Sequence, residues 1–304
     1  MESIKIHQSG MCVQELLDIV DEVHADFFLH SNEKQSCAFC IAAEHFVFTF
    51  MQQMLLFITG IGRTGKSHII KVIVELFKHC RCPGNLLLST PTGSTAILIK
   101  GYMIHKLTFL PGKKETNKQL ELQLIWSNVY YLVLNEIPMV SAELLSQISK
   151  QIVIAKWADP NSMDKPFGGV NIIFTGDLGQ LHLVGSAFLF STDLNSHLKP
   201  HLKETKKGQD ALFGASVWKQ LTHVVELKQN VRARGDADHV MCLLCMCKGN
   251  GSLHATDGPL DYKMLQNCIL ENLVPPSLLH CTMLWLYSVN DVCMTFIMNR
   301  RQCN

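Results

Sequence analysis

The chain has 304 residues, enough for two domains of ordinary size, and its 47% hydrophobic and 17% charged content excludes a disordered protein. The net charge of +1 neither requires nor excludes a nucleic-acid partner, because a local basic groove can exist in a neutral protein. The amino-terminal sequence MESIKIHQSG lacks the apolar core of a signal peptide, and the most apolar stretch, 46–58, is too short to span a membrane. We therefore expect an intracellular protein with reduced thiols and no contact with a membrane.

The cysteines include one close cluster, Cys242, Cys245 and Cys247, whose spacing would let two or three thiolates hold one metal ion. No second pair of cysteine or histidine residues lies nearby at zinc-finger spacing. Residues 238–248 also have the apolar pattern of an amphipathic helix, so ordinary packing is the favoured interpretation.

Two helices are predicted before the first strand. Residues 13–28 have leucines and valines in helical register, and we assign them no function. Ser31 or Asn32 can cap a second helix that continues to about residue 50. Gln35 lies in its first turn, where it is either a solvated helix residue or an amide that reads the edge of an adenine base.

A phosphate-binding loop is the most specific signal in the chain. An apolar run of strand length, 54–58, is followed by GIGRTGKS at 60–67, which fits the pattern G-x-x-x-x-G-K-[ST], and then by helical spacing over 68–77. Glycines let backbone N–H groups curl around a phosphate chain, while Lys66 supplies charge and Ser67 a hydroxyl for magnesium. Because strand, turn and helix occur in the required order, a chance match is disfavoured, and the chain is predicted to bind a nucleoside triphosphate or to descend from a protein that did.

The second predicted strand, 86–89, leads into a helix through small and hydroxyl residues at 90–96. Such residues at a helix start suit a second backbone site for anions, and a plain capping turn explains them equally well. His105 follows, and a lone histidine is more often a packed or capping residue than a ligand. A polar, basic loop is predicted at 113–118 and a helix at 120–126.

The third predicted strand, 130–136, ends on the polar pair Asn135 and Glu136. In a P-loop enzyme this strand end carries an aspartate that holds magnesium and a glutamate that acts on the attacking water. Glu136 suits the second role. Asn135 keeps an oxygen but lacks the charge, so we expect it to hold magnesium or its bound water weakly.

A fourth strand, 170–175, follows a helix predicted at 142–154 with Ser141 as its cap. Asp177 and Gln180 come directly after this strand, where Gln180 could contact the γ-phosphate or the water. A polar loop would explain either residue alone. Four strand ends that converge on one crevice make the functional interpretation stronger.

A lysine-containing exposed loop is predicted at 191–209, followed by a helix at 213–221 and a strand at 223–227. A later strand is predicted at 284–290 and a helix at 291–300. Arg232 follows the strand at 223–227. It is either a surface charge or a finger that neutralises charge on the phosphates in the transition state, and chemistry alone leaves both open.

Together these segments resemble the petite integration frequency (PIF) family of DNA helicases, particularly the helicase portion of Helitron rolling-circle transposons. The resemblance covers residues 31–304 and depends on motifs in a fixed order. These are SNEKQSCAF, GIGRTGKS, TPTGSTA, LVLNEIPMVSAELL, FGGVNIIFTGDLGQL, VVELKQNVRA and LWLYSVNDVCMTFIMN.

The resemblance implies roles for individual residues. Nucleotide contacts would come from Gln35, Gly60, Gly62, Thr64, Gly65, Lys66 and Ser67. Catalytic roles would fall to Lys66, Glu136, Gln180 and Arg232. Magnesium would be held by Ser67 and, weakly, by Asn135, and contacts to DNA would come from Thr92, Gly93 and His105.

The implied fold is α/β: a RecA-like P-loop NTPase domain with a parallel sheet flanked by helices at 31–227, after a helical segment at 1–30. An incomplete second RecA-like domain would occupy 228–304. The cofactors would be ATP and Mg²⁺, and the partner single-stranded or forked DNA, along which ATP hydrolysis drives 5′-to-3′ movement with little sequence preference. A nuclear location is implied by the family alone.

Several positions depart from the family pattern. Asn135 replaces an aspartate, Arg63 occupies a position where glycine is usual, and QLHL at 180–183 lacks two usual prolines. The chain also ends before the family's later motifs. Two alternatives follow: a decayed transposon-derived module that binds ATP or DNA without turnover, which Asn135 favours, and an unrelated P-loop nucleoside kinase, which the motif order disfavours.

Overall fold

The computed structural model describes residues 10–48, 52–110, 116–157, 162–178, 180, 189 and 205–229. The chain divides into two compact units, residues 1–232 and 233–304, and every described residue belongs to the first unit. The expected second RecA-like domain, the cysteine cluster and Arg232 lie outside the described residues, as do the elements predicted at 284–300. The domain boundaries proposed from the sequence stay predictions.

Within the described residues, the centre of the first unit is a parallel six-stranded sheet with the order β3-β2-β4-β5-β1-β6. The strands are β1 (Leu55–Thr59), β2 (Leu86–Thr90), β3 (Tyr102–Met103), β4 (Tyr131–Asn135), β5 (Asn171–Gly176) and β6 (His223–Glu226). The central strands are buried on both faces, so they are runs of apolar residues rather than alternating patterns. Five of these strands are predicted from the sequence, and β3 is missed because two residues carry no periodicity.

Helices cover both faces of the sheet. They are α1 (Val13–Asp26), α2 (Glu33–Phe48), α3 (Lys66–His79), α4 (Gly93–Ile99), α5 (Ile104–Leu107), α6 (Thr116–Trp126), α7 (Ala142–Ala155) and α8 (Lys206–Trp218). Alternate side chains of a strand point to opposite faces. Leu56 and Ile58 accordingly pack in one core with α1, α2 and α3, whereas Leu55 and Phe57 pack in a second core with α5 to α8.

Side-chain caps set the start of several helices. The Oδ1 of Asn32 accepts from the N–H of Gln35 at 3.3 Å, and the Oγ of Ser141 accepts from the N–H of Leu144 at 3.1 Å, both as predicted. Thr205 caps α8 through the N–H of Gly208 at 3.1 Å, so this helix begins at Lys206. The prediction of a loop up to residue 209 is therefore wrong for its last four residues.

The helices α7 and α8 approach each other unusually closely. A Cβ atom on Gly214 would lie 1.8 Å from the carbonyl oxygen of Ala142, so only glycine fits at this crossing. The buried Asp210 accepts a hydrogen bond from the Oγ of Ser146 at 3.2 Å and forms an ion pair with Lys150. The contact between Gly214 and Ala142 places α8 against the amino-terminal end of α7. The helix α7 in turn follows the strand end that carries Glu136.

His45 is a buried histidine that ties α2 to the sheet. Its Nε2–H donates to the carbonyl oxygen of Gln52 at 2.9 Å, so in the neutral ring Nδ1 accepts from the hydroxyl of Tyr131 at 2.8 Å. Burial lowers the pKa of His45, although the hydrogen bond to Gln52 opposes this effect. The folded state therefore favours the neutral ring.

We expect the free energy of unfolding to fall as the pH drops below about 6.5, because the unfolded chain then binds a proton that folded His45 resists. The contribution of neutral His45 to the free energy of unfolding is complete above that pH, and it declines as the pH falls towards the lowered pKa of His45 in the folded state. Urea unfolding at pH 7.5 and 5.5 measures the difference, which should shrink in His45→Gln. The exposed His30→Gln should retain the full difference, and equal pH responses in the two variants would contradict the assignment.

Candidate nucleotide-binding site

The carboxyl ends of the parallel strands lie at one edge of the sheet, and the predicted site residues follow these ends. The P-loop follows β1, Glu136 follows β4 and Asp177 follows β5. Because β5 lies between β4 and β1 in the sheet, Asp177 emerges between the other two segments. The sheet order thus brings three sequence-distant motifs to one crevice.

The P-loop is shaped by close backbone contacts. Gly65 directly precedes α3 and has a φ of 94°, a backbone conformation that residues with a Cβ rarely adopt. A Cβ on Gly60 would lie 2.7 Å from the carbonyl oxygen of Leu227. The N–H of Leu227 donates to the carbonyl oxygen of Thr59 at 2.8 Å. The buried Thr64 closes the loop through its hydroxyl, which donates to the carbonyl of Ile61 at 2.8 Å. The end of β6 therefore packs directly on the start of the loop.

Lys66 is held inside this loop. Its Nζ donates to the carbonyl oxygens of Gly60 at 2.5 Å and Ile61 at 3.0 Å. Burial lowers the pKa of Lys66, and the carboxylates of Asp177 and Glu136 partly offset this effect. Both carboxylates follow strand ends at the same edge of the sheet as the P-loop, and their negative charge favours the protonated form of Lys66. The role assigned to Glu136 stays a prediction.

Glu136 has a strained backbone, with φ of 59° and ψ of 49° in a region that residues other than glycine rarely adopt. Such strain costs about 1–3 kcal/mol and persists only where the surroundings impose it. The surroundings here are the turn Ile137–Met139 and the end of β5: a Cβ on Gly176 would lie 2.6 Å from Cδ of Pro138. The close packing of these two strand ends fixes the position of Glu136.

Asn135 occupies the position that the sequence assigns to a weak magnesium ligand. It is buried, and its Oδ1 accepts a hydrogen bond from the hydroxyl of Thr175 at 2.6 Å. One lone pair of the amide oxygen is therefore engaged within the sheet. Sequence reasoning did not identify Thr175 as this partner, because no pattern specifies which neighbour a buried amide will meet.

The groups near Lys66 suit magnesium chemically. The exposed Ser67 lies in the first turn of α3 and offers a hydroxyl, and Glu136 and Asp177 offer carboxylates, all of them the hard oxygen ligands that this ion prefers. Within the described residues no group of three or more histidine, cysteine, aspartate or glutamate side chains could hold a metal ion.

The remaining predicted residues have varied positions. Gln180 is exposed, and its N–H donates to the carbonyl of Asp177 at 3.0 Å in the turn after β5. Thr92 precedes α4, where its hydroxyl lies 2.6 Å from that of Thr95, and Gly93 is exposed at the first position of this helix. His105 is half-buried in the short α5. A separate cavity of about 520 Å³ between α7 and α8 is lined by none of the predicted site residues.

Gln35 is buried against the P-loop, with 5% of its surface exposed. Its Nε2 donates to the carbonyl oxygen of Thr64 at 3.0 Å. The alternative interpretation of a solvated helix residue is therefore wrong. The first turn of α2 instead contributes a side chain that contacts the P-loop.

Arg63 adopts a left-handed backbone with a φ of 69°, at the position where glycine is usual in the family. Left-handed backbone costs a residue with a Cβ about 1–2 kcal/mol, whereas glycine adds about 0.5–1 kcal/mol of unfolded-state entropy. We expect Arg63→Gly to raise the free energy of unfolding by up to about 1 kcal/mol in denaturant titrations. Lys71→Gly, at an exposed helical position in α3, should lower it by about 1 kcal/mol. A similar decrease in the free energy of unfolding in both variants would contradict the proposed backbone strain at Arg63.

A parallel sheet with a P-loop after β1 and carboxylates after two neighbouring strands defines a P-loop protein of the α/β class. Comparison with known protein families identifies the family within this class. The family model of PIF1-like helicases matches residues 31–241, and the chain belongs to this family.

Curated relatives agree with this assignment. The chain is similar to the ATP-dependent DNA helicase PIF1 of Saccharomyces cerevisiae, with 26% identity over 245 residues that cover 78% of this chain and 26% of the relative. It is 31% identical over 134 residues to the ATP-dependent DNA helicase RRM3 of the same species, covering 41% of this chain and 18% of the relative. The chain thus spans about a quarter or less of these two relatives.

Solved structures show the same fold. The crystal structure of Pif1 helicase from Candida albicans matches with a TM-score of 0.56 and 23% identity, covering 80% of this chain and 48% of that one. A structure titled for DNA unwinding at forked dsDNA by two coordinating Pif1 helicases matches with a TM-score of 0.51 and 22% identity, covering 71% of this chain and 47% of that one. The RecA-like fold predicted from the sequence is confirmed for the described residues.

Proposed function

We propose that this chain contains the ATP-binding motor domain of a DNA helicase that couples ATP hydrolysis to 5′-to-3′ movement on single-stranded DNA. The observation that carries this proposal is the shared edge of the sheet, where the P-loop with Lys66 follows β1, Glu136 follows β4 and Asp177 follows β5. Membership in the PIF1-like helicase family supports the choice of DNA movement over another use of ATP. Its similarity to an ATP-dependent DNA helicase and to Pif1 helicases that unwind forked DNA supports the same choice.

Each residue has a proposed part. Lys66 leaves the carbonyls of Gly60 and Ile61 to bind the outer phosphates, and Glu136 orients the attacking water and takes its proton. Ser67 would hold magnesium together with the phosphates, and the ion would supply positive charge at that point. Gln180 contacts the γ-phosphate, and Arg232 contributes positive charge as an arginine finger.

The proposed partner is single-stranded or forked DNA, contacted from the segment after β2 and from α5 by Thr92, Gly93 and His105. Backbone phosphates and stacked bases would be recognised with little sequence preference. A nuclear location and a Helitron origin are part of the same proposal. Within the described residues, none of the helices has the length and apolar character needed to cross a membrane.

The experiment is ATP hydrolysis by the purified chain with and without single-stranded DNA. A helicase motor gives hydrolysis that rises with DNA and disappears in Lys66→Ala. The exposed Lys78→Ala on the same helix is the matched control and should retain activity. Hydrolysis that ignores DNA, or that survives in Lys66→Ala, would contradict the proposal, and phosphate transfer to a nucleoside would identify a kinase instead.

A decayed module that binds ATP without turnover is a second candidate, and Asn135 is the observation that favours it. Its neutral side chain, already bonded to Thr175, holds magnesium or its water less strongly than a carboxylate would. Nucleotide binding without hydrolysis in the wild type, with hydrolysis restored in Asn135→Asp, would establish this candidate.

A further inference from the structure

Gln35 makes a contact that base recognition does not require. The backbone of Gln35 is fixed at the start of α2, where its N–H donates to Oδ1 of Asn32 at 3.3 Å. From there the side chain reaches the P-loop, and its Nε2 donates to the carbonyl oxygen of Thr64 at 3.0 Å. The polar end of Gln35 therefore contacts the loop that surrounds the phosphates.

The contact is tight as well as polar. A Cβ atom on Gly65 would lie 2.2 Å from Nε2 of Gln35, so the amide lies directly against this glycine. Thr64 and Gly65 immediately precede Lys66, and Gly65 has a φ of 94°. The side chain of Gln35 thus packs on the one peptide unit that joins the turn to the start of α3.

The planarity of the peptide bond gives this contact a consequence. In a trans peptide the C=O and N–H groups point in opposite directions. Because the carbonyl of Thr64 points towards Gln35, the N–H of Gly65 points away from Gln35. P-loops bind phosphate through such N–H groups, so the orientation of this peptide decides whether one donor is available.

We propose that Gln35 is a positioning residue of the P-loop, which holds the Thr64–Gly65 peptide so that the N–H of Gly65 faces bound phosphate, independently of any contact with a base. The inference depends on the proposed function, since it assumes that the loop binds a nucleoside triphosphate. The same amide keeps its Oε1 and a second N–H, so it can also contact adenine. One side chain would then link the base to the phosphate loop.

Inorganic tripolyphosphate separates the two roles because it has phosphates and no base. The variant Gln35→Met has a similar length and lacks the donor. If Gln35 positions the loop, its dissociation constants for tripolyphosphate and for ATP should both rise by about tenfold, the value of one hydrogen bond. If Gln35 acts only on the base, the variant should lose affinity for ATP and bind tripolyphosphate as the wild type does, which would overturn the inference.

Cys37→Met is the matched control, because it places the same side chain at an exposed position in the same helix and should leave both affinities unchanged. If Gln35→Met fails to fold, Gln35→Asn replaces it: this variant keeps the amide but is one methylene too short to reach Thr64, and the same pair of results decides. A wild-type chain that binds neither ATP nor tripolyphosphate would refute the proposed function itself, and this inference with it.

Discussion

Replacement of Glu136 by glutamine should lower ATP hydrolysis by about 10²–10⁴-fold, the usual contribution of a general base, while ATP binding stays unchanged. Glutamine keeps the shape and the hydrogen-bonding oxygen but cannot take a proton from water. The carboxylate lies close enough to Lys66 to influence its charge, and its backbone is held in a strained conformation that positions it. Hydrolysis assays at saturating ATP, together with an equilibrium binding titration, measure the two quantities separately.

This experiment requires measurable hydrolysis, which Asn135 could suppress. The glutamine variant is therefore made both in the wild-type chain and in Asn135→Asp, and the more active background is used for the comparison. Glu121→Gln, at an exposed position in α6, removes the same charge away from the site and should leave hydrolysis intact. Unchanged hydrolysis in Glu136→Gln would remove this residue from its proposed role.

Gly214→Ala should destabilise the folded unit more than any other substitution considered for this chain. The added methyl would lie 1.8 Å from the carbonyl oxygen of Ala142 and 2.7 Å from its carbonyl carbon, so the backbones of α7 and α8 would have to separate. Overpacking typically costs about 1–3 kcal/mol, and contact with rigid backbone places this site at or above the upper end. The intrinsic helical preference of alanine offsets only about 1 kcal/mol.

Chemical denaturation of the first unit measures this loss as a lower midpoint in the urea titration. Gly84→Ala is the control, because a Cβ at that position meets no atom within 4 Å. It should change the free energy of unfolding by less than about 1 kcal/mol. Wild-type stability in Gly214→Ala would show that α7 and α8 separate at little cost.

The sequence predicts the strands that carry the candidate site, because chemistry and spacing coincide there. Apolar runs followed by polar residues identify β1, β4 and β5, because parallel strands are buried on both faces and change character at their ends. The same pattern, together with the rule that such strand ends share one edge, predicts that Glu136 and the P-loop lie at the same edge of the sheet, and the strand order agrees. Local signals also locate the caps at Asn32 and Ser141.

Other features depend on contacts between distant residues, which local patterns do not contain. Nothing around Gly214 distinguishes it from a tolerated helical glycine, since its partner Ala142 is far away in the sequence. The burial of Gln35 and its bond to Thr64 depend on how α2 packs against the P-loop. The strained φ of Glu136 follows from the turn at Pro138 packing on β5, and no propensity scale predicts it.

The contact between Gly60 and Leu227 has a mechanical consequence. These two backbones are in close contact, and the N–H of Leu227 is bonded to the carbonyl oxygen of Thr59, so the start of the P-loop and the end of β6 cannot move apart without breaking these contacts. The edge strand β6 is therefore mechanically coupled to the P-loop.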